Sequence, residues 1–482
     1  MNPTTIFPAA LLSFVVLCSG SLDAQDFATD GTADAIKAFL QEHVDIDKER
    51  AAIVVGIVDE KGGRIITQGQ LDNGTDQPLD SNSLFFIGSV SKTFTALLLL
   101  DMVERGEMQL DDPVAKYLPA SVKMPTRGGE QITLLQLATH TAGLPPNADN
   151  MTGADEREQY ETYTMERMHA FLSSYTLTVD PGERFGYSNV GMALLGHAMS
   201  RRAGTTYESL LIDRICLPLG MKDTCITLSA EQKARRAMGH DDAGNPSPPW
   251  KLDAYSPAGD IHSSANDLLK YVTAQARIKH SPLTPLMEKS HMFRHQDKQG
   301  LPGQGDYAVM GRTAMPWVDR GAYQPLGMEL LGHAGGAGSY HAWVGFDKKQ
   351  RRGVVVLSTA NKLSVEAIGW SVLQRVPLTE DRKTLIVREL VGIGAAIETD
   401  ADTRMLRITR VFHNSPAEAA GLSAGAIIRK IDDTLTAGKT VTECRDLIRG
   451  PIGTKVRFEL NEGPQGKLNV VEVTRDRFLL SS

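Results

Sequence analysis

Residues 84–106 read LFFIGSVSKTFTALLLLDMVERG, and the reading of this stretch decides the fold. The apolar run Leu84–Ile87 ends at Gly88, and a second apolar run from Phe94 to Val103 stops at Gly106. That pattern predicts a helix from Val90 to about Arg105, with Ser89 at its mouth. Lys92 lies three residues on, so both side chains share one helical face. Serine attacks carbonyl carbon only when a neighbouring base takes its proton, and a desolvated lysine amine is such a base. The exposed N–H groups of a helix N-terminus suit a developing oxyanion. Ser89-Val90-Ser91-Lys92 is the single Ser-x-x-Lys of the chain. Taken alone it also fits a helix-capping serine beside a solvated lysine.

Upstream, residues 52–58 (AIVVGIV) and 64–68 (RIITQ) are β-branched runs separated by Lys61-Gly62-Gly63, a hairpin signal. Downstream, helical patterns fall at 134–137, 165–173, 189–201 and 206–214, while 240–260 is rich in Gly, Asn, Pro and Asp and reads as loop. Strands are expected at 344–346 and 353–359, then a helix over 364–374. Strands at both ends of a helical middle predict an α/β (α+β) domain with a mainly antiparallel sheet flanked by helices.

The rhythm changes after 377. Residues 378–389 are charged and patternless, as a linker would be. Strands are then expected at 405–411, 426–431, 455–460 and 469–475, with one short helix at 442–449. In 455–460 the apolar Val456, Phe458 and Leu460 alternate strictly. This is a small β-rich domain over 390–476, of about 90 residues, a size that folds alone.

The 482 residues carry 41% hydrophobic and 23% charged side chains with a net charge of −7, so nothing points to nucleic acid or an anionic membrane surface. Residues 9–18 (AALLSFVVLC) are apolar but too short to span a bilayer. Small residues follow, so 1–24 reads as a signal peptide and the protein as exported, periplasmic or extracellular. The stretch before Ala9 has no Lys or Arg, which leaves a buried N-terminal helix as the alternative. Leu17 before Cys18 argues against a lipoprotein. No later segment is long enough to be a transmembrane helix. Cys216 and Cys225 could pair in an oxidising compartment, but two packed thiols are the preferred reading.

Two further segments carry chemistry. Tyr187-Ser188-Asn189 follows the turn Pro181-Gly182-Glu183 and precedes a helical pattern. A phenol beside a lysine can relay protons, and an asparagine amide can orient a substrate carbonyl. His333-Ala334-Gly335-Gly336 lies where a glycine-flanked strand would let a substrate backbone approach.

Six blocks in order resemble the serine β-lactamase/D,D-peptidase superfamily, in its class C-like branch: FFIGSVSKTFTA around Ser89, LLQLATHTAGLPP at 134–146, PGERFGYSNVGMALLG at 181–196, ICLPLGMKDT at 215–224, PAGDIHSSANDLLKY at 257–271 and GHAGGAGSYHAWVGFD at 332–347. The resemblance covers roughly 30–377 and implies a β-lactamase/transpeptidase-like fold. It implies that Ser89 is the nucleophile, Lys92 its base and Tyr187 the proton partner. It further implies that Asn189, His333 and Gly335 bind substrate, and that the N–H groups of Ser89 and Gly336 form the oxyanion hole. His333 stands where many members have the Lys of a Lys-Thr-Gly triplet, which weakens the case for a dedicated β-lactamase. The substrate would be a small amide, ester or peptide, cleaved without metal or cofactor, with loops 147–165 and 240–256 setting specificity. A penicillin-binding or adaptor protein with little turnover is the alternative.

Residues 390–476 resemble a PDZ domain of the bacterial processing-protease type. The resemblance rests on VGIGAAIE at 391–398, NSPAEAAGLSAGAIIRKIDD at 414–433 and LIRGPIGTKVRFEL at 447–460. It implies that Gly392, Ile393 and Gly394 hold a protein C-terminus. Gly421-Leu422-Ser423-Ala424-Gly425 matches a G-x-S-x-G nucleophile elbow, but a helix precedes it and a strand follows, the reverse of what an elbow needs. His291 and His295 share a helical spacing without the glutamate of a zinc motif and read as a solvated pair. His240-Asp241-Asp242 reads as a solvated turn, and His140 as a loop support.

Overall fold

The computed structural model describes residues 32–43, 51–241, 243–292, 295–296, 312–319, 328–361, 363–374, 389–399, 406–411, 415–439, 441–448, 453–461 and 468–479. The proposed signal peptide and residues 378–388 of the proposed linker lie outside them.

A first helix, α1 (Thr32–His43), precedes the hairpin β1 (Ala52–Asp59) and β2 (Gly62–Gly69). Strand β3 (Leu84–Phe86) runs through a 3-10 turn at Gly88–Val90 into α2 (Ser91–Glu104). After α3 (Leu134–Ala138), α4 (Glu156–Glu161) and α5 (Asn189–Ala203), a short α6 (Ser256–Gly259) leads through β4 (His262–Ser264) into α7 (Ala265–Gln275). Short strands β5 (His295–Gln296), β6 (Arg312–Thr313) and β7 (Val318–Asp319) are followed by β8 (Leu330–Ala337), β9 (Tyr340–Asp347) and β10 (Arg352–Ser358), then α8 (Val365–Gln374).

These strands form one antiparallel sheet of order β2-β1-β10-β9-β8-β7-β6-β5, so the first hairpin closes onto the last strand. The unbroken apolar run in β1 has a physical cause. Val54 and Val58 face a core shared with α2, α5 and α7, while Ile53, Val55 and Ile57 face a second core under α1 and α8. A strand covered on both faces cannot alternate with polar residues. For the same reason α2 has no polar face: every residue from Ser91 to Met102 is buried.

The structure corrects three local readings. Residues 240–260 are not all loop: they hold a two-residue hairpin (Gly239–His240 with Pro246–Ser247) and helical turns from Asp253 to Gly259. Burial of Tyr255, Pro257 and Ala258 against α5 and α2 orders this segment despite its turn-rich composition. His240 is not solvated; it is 3% exposed, with Nε2 3.0 Å from Asp72. His291 is buried as well, its Nε2 2.6 Å from Gln275 Oε1, where it packs on Phe346. The side chain of His295 lies outside the described residues. Cys216 and Cys225 are buried thiols with no bridge, and burial raises both, Cys225 to about 11.

The C-terminal region is β-rich and PDZ-like. Strand β11 (Glu389–Gly392) pairs with the final β18 (Asp476–Leu479). A second sheet runs β12 (Ala395–Thr399), β13 (Leu406–Val411), β14 (Ile427–Ile431), β16 (Lys455–Asn461) and β17 (Leu468–Thr474), with the short β15 (Thr434–Leu435) on β14. Helices α9 (Pro416–Ala419) and α10 (Val441–Ile448) accompany it. Gly421–Gly425 lies between α9 and β14, as a turn rather than an elbow.

Trp343, on β9, occupies space left by Gly332, Gly345 and Gly369. A Cβ on Gly369 would stand 2.0 Å from the indole. Alanine is the better helix former by up to about 1 kcal/mol. Overpacking a closed core typically costs about 1–3 kcal/mol. Gly369→Ala should therefore lower stability on balance, read as a lower urea midpoint; an unchanged midpoint would contradict this packing.

Candidate active site

The 3-10 turn Gly88–Val90 holds Ser89 half-exposed at the start of α2. Gly88 has φ +50, the left-handed region that favours glycine. The strand β8 presses on this turn, backbone against backbone. A Cβ on Gly335 would lie 2.2 Å from the Ile87 carbonyl oxygen and 2.7 Å from the Ser89 nitrogen. A Cβ on Gly88 would lie 2.5 Å from the Gly336 nitrogen. Only side-chain-free residues let the two backbones meet here.

Lys92, the second residue of α2, lies one turn beyond Ser89 and is fully buried. Its Nζ lies 2.8 Å from Ser89 Oγ and donates to the Ala258 carbonyl at 2.7 Å. Burial holds its pKa well below the usual lysine value, because an ammonium there would lose its hydration. The Tyr187 hydroxyl donates to Ser89 Oγ at 2.8 Å, and its ring lies 4.9 Å from Lys92 Nζ. Ser89, Lys92 and Tyr187 thus meet at one oxygen, from segments 98 residues apart.

Tyr187 is held by the block at 134–146. Ser188 caps α5, accepting from Gly191 N at 2.9 Å and donating to the Pro145 carbonyl at 2.7 Å. Its N–H donates to His140 Nδ1 at 3.1 Å, and the His140 ring lies 4.7 Å from that of Tyr187. His140 is therefore a support for Tyr187, kept neutral by burial. Asn189, first in α5, points its amide nitrogen inward, to Asn147 Oδ1 at 3.1 Å and Tyr160 Oη at 3.3 Å. The end left to a substrate is the oxygen, which accepts an N–H. Sequence reasoning expected this amide to orient a carbonyl and missed Asn147 and Tyr160, for which no motif gave a signal.

His333, on β8, is 1% exposed. Its Nδ1 lies 2.7 Å from the Ala334 carbonyl and must be the protonated nitrogen, since a carbonyl only accepts. Burial, helped by the nearby Lys92, pushes its pKa down to about 3, so the imidazole is neutral. It supplies no positive charge where a lysine would. A cavity of about 290 Å³ opens beside Ser89, lined also by Asn189, Gly336, Tyr160, Trp250, Tyr255 and Glu156. Among the described residues no group of three or more His, Cys, Asp or Glu could hold a metal ion.

In the C-terminal region Gly392, Ile393 and Gly394 join β11 to β12. The Ile393 side chain is buried in the local core, its carbonyl accepts from Ala417 N at 2.6 Å, and Gly394 O accepts from Ser415 Oγ at 3.1 Å. Among the described residues β12 pairs only with β13, so its outer edge carries no partner strand.

The family profile described as Beta-lactamase matches residues 32–375, and the PDZ domain profile matches 407–462. The D-alanyl-D-alanine-carboxypeptidase/endopeptidase AmpH of Escherichia coli K12 is 26% identical over 367 residues, covering 74% of this chain and 92% of that protein. A Pseudomonas fluorescens beta-lactamase is 29% identical over 348 residues, covering 66% and 91%. The crystal structure of a beta-lactamase/D-alanine carboxypeptidase from Yersinia pestis superposes with a TM-score of 0.59 at 24% identity, covering 71% of this chain and 98% of that one.

Asp260 follows α6, next to the segment that supplies the Ala258 carbonyl. It is 7% exposed, accepts from Ser256 Oγ at 2.7 Å, and burial pushes its pKa from 3.8 up to about 7. Between these values the unfolded chain has lost the proton and the folded chain has kept it. This contribution to stability is therefore whole below about pH 4 and is lost as pH rises through about 7. The shift corresponds to roughly 3–5 kcal/mol. Asp260→Asn should remove that slope, so the stability of the wild type relative to the variant should fall across pH 4–7 in urea titrations. A gap independent of pH would contradict it.

Proposed function

The chain belongs to the beta-lactamase family and is a serine hydrolase; on that premise we propose that it is exported and cleaves amide or ester bonds, foremost those of D-amino-acid peptides, through an acyl-Ser89 intermediate. The observation that carries the proposal is the 2.8 Å approach of both Lys92 Nζ and Tyr187 Oη to Ser89 Oγ. A neutral amine has a lone pair, so Lys92 can take the Ser89 proton while the Tyr187 hydroxyl still donates to the same oxygen.

In this reaction Ser89 Oγ bonds to the substrate carbonyl carbon. The oxyanion is held by the N–H groups of Ser89 and Gly336. The proton passes by way of Lys92 and Tyr187 to the leaving nitrogen or oxygen as the bond to it breaks. A water then attacks the acyl ester, giving its proton back through Tyr187, and the acid leaves with Ser89 restored.

The neutral His333 supports a preference for leaving groups without a terminal carboxylate. Lys92 is engaged with Ser89, and among the described residues the cavity lining contains no arginine or lysine. Internal D,D-peptide bonds, amides and esters are thereby favoured over β-lactams. The apolar stretch at residues 9–18 supports export. For the C-terminal region, the open edge of β12 supports capture of an extended peptide as an added strand, with Gly392–Gly394 at its end.

Ser89→Ala should reduce turnover by at least about 10⁴-fold. Intact mass after mixing with an activated ester should show an adduct on the wild type only; hydrolysis unchanged in the variant would end the proposal. An adduct without turnover would favour the penicillin-binding alternative, and no adduct the adaptor. Among D-alanyl-D-alanine peptides, the C-terminal amide should be cut faster than the free acid. A faster free acid, or a cephalosporin as best substrate, would overturn the substrate assignment.

Because the base form of Lys92 does the work, kcat/KM should rise as it loses its proton and level off far below the ordinary 10.5. Lys92→Arg should lose about 10²–10⁴-fold, since arginine keeps its proton. A rise that continues to pH 10 would exclude a neutral Lys92.

A further inference from the structure

Asp260 is a buried acid that the reaction described above does not use. It directly follows α6, is 7% exposed, and the charged groups that act on it are two further acids, Glu208 and Asp253. A carboxyl in such a place is costly unless hydrogen bonds hold it. Two do. Ser256 Oγ donates to Oδ2 at 2.7 Å, and the Leu252 N–H donates to the same carboxyl. The Asp260 N–H donates in turn to the Ser256 carbonyl at 3.1 Å. The residue therefore ties the end of α6 to its first residue and to the segment that leads into it.

The turn closed in this way carries the carbonyl that holds Lys92. Ala258 O accepts from Lys92 Nζ at 2.7 Å, and Pro257 O accepts from Thr95 Oγ1 at 2.6 Å, one turn further along α2. Helix α5 presses on the same place, where a Cβ on Gly196 would stand 2.2 Å from Pro257. A helix of four residues is too short to hold itself, because a first turn fixes several dihedral angles for one hydrogen bond. Its middle is gripped by α2 and α5, and its two ends are joined by Asp260. A neutral amine has two N–H groups and one lone pair. With one N–H engaged by Ala258 O, the place of that carbonyl limits where the lone pair points.

We propose that Asp260 is a positioning residue for the general base: by joining Leu252 and Ser256 it sets the Ala258 carbonyl, and through that carbonyl it turns the lone pair of Lys92 toward Ser89. The partners of its carboxyl are Ser256 and Leu252 rather than a reacting group, and it does not line the cavity beside Ser89. The inference rests on the acyl-Ser89 reading above and assigns to that reaction a residue behind its base. Asparagine has the same shape: its oxygen can accept from the Leu252 N–H, and its amide can donate to Ser256 Oγ. Asp260→Asn thus keeps both links, whereas Asp260→Ala removes both.

The test follows acylation of the full chain by nitrophenyl acetate, read as the first burst of nitrophenolate. It is run at about pH 6.5, where Asp260 keeps most of its proton and asparagine is a fair mimic. Asp260→Ala should acylate at least about tenfold more slowly, and Asp260→Asn within about threefold of the wild type. In a Lys92→Ala background, Asp260→Ala should lower the residual rate no further, because nothing is left to position. Near-UV circular dichroism checks that each variant is folded. Where Asp260→Ala does not fold, Ser256→Ala removes one of the two links and should lose about threefold, again only while Lys92 is present. A folded Asp260→Ala as fast as the wild type, a loss of equal size with and without Lys92, or an Asp260→Asn as slow as Asp260→Ala would overturn the positioning role. If Lys92→Ala acylates as fast as the wild type, the base assignment itself falls. A slow Lys92→Ala beside a fast Asp260→Ala keeps the base and removes Asp260.

Discussion

Lys92 carries its amine on a helix that has no water around it, and no carboxylate faces the amine among the described residues. Hydration or a counter-charge is what stabilises an ammonium, so the neutral form prevails there at a pH where a surface lysine is charged. The rest of the centre is arranged around that amine. The Ala258 carbonyl takes one of its N–H bonds, and Ser89 Oγ lies on the other side. Two neighbouring histidines, His140 and His333, are buried and neutral, so the interior holds three bases, and of these it is Lys92 that touches Ser89 Oγ. Burial is the largest cause that keeps each of the three neutral.

Bringing β8 to Ser89 is a second constraint, solved by omission of side chains. Gly88, Gly335 and Gly336 let β8 approach the turn at the head of α2 to distances a Cβ would forbid. The strand is held from behind by β9, whose register sets Gly336 opposite His341 and Gly335 opposite Ala342. Behind β9, Trp343 fills the groove that other glycines leave. The sheet is thus closely packed behind Gly335 and Gly336 and covered on both faces by helices.

Much of this was legible in the sequence. The apolar runs marked β1 as a strand and α2 as a helix, and the strict alternation in β16 marked a strand with one apolar face. The six ordered blocks led to the family, and the order of helix and strand around Gly421–Gly425 excluded a false nucleophile. Failures came where composition misled. Residues 240–260 look like a loop because they are rich in turn formers, yet Tyr255, Pro257 and Ala258 are ordered by burial. His240 reads as a solvated turn because it opens a Gly- and Pro-rich stretch, and His291 as solvated because no zinc-motif glutamate accompanies it, yet partners distant in the chain enclose both.

The sequence by itself limited the chemistry available: a candidate nucleophile and its candidate base follow from residue type and spacing within one element, and the resemblance to the family marks position 333 as one without the lysine that many members carry. Tertiary structure decided everything that depends on which distant backbone a side chain meets. Lys92 finds its carbonyl 166 positions away, Asn189 is turned to present its oxygen by residues 42 and 29 positions off, and Glu156 shares a cavity with Ser89 only through the fold. Desolvation and orientation are properties of an enclosure, and no local pattern in a chain records what will enclose it.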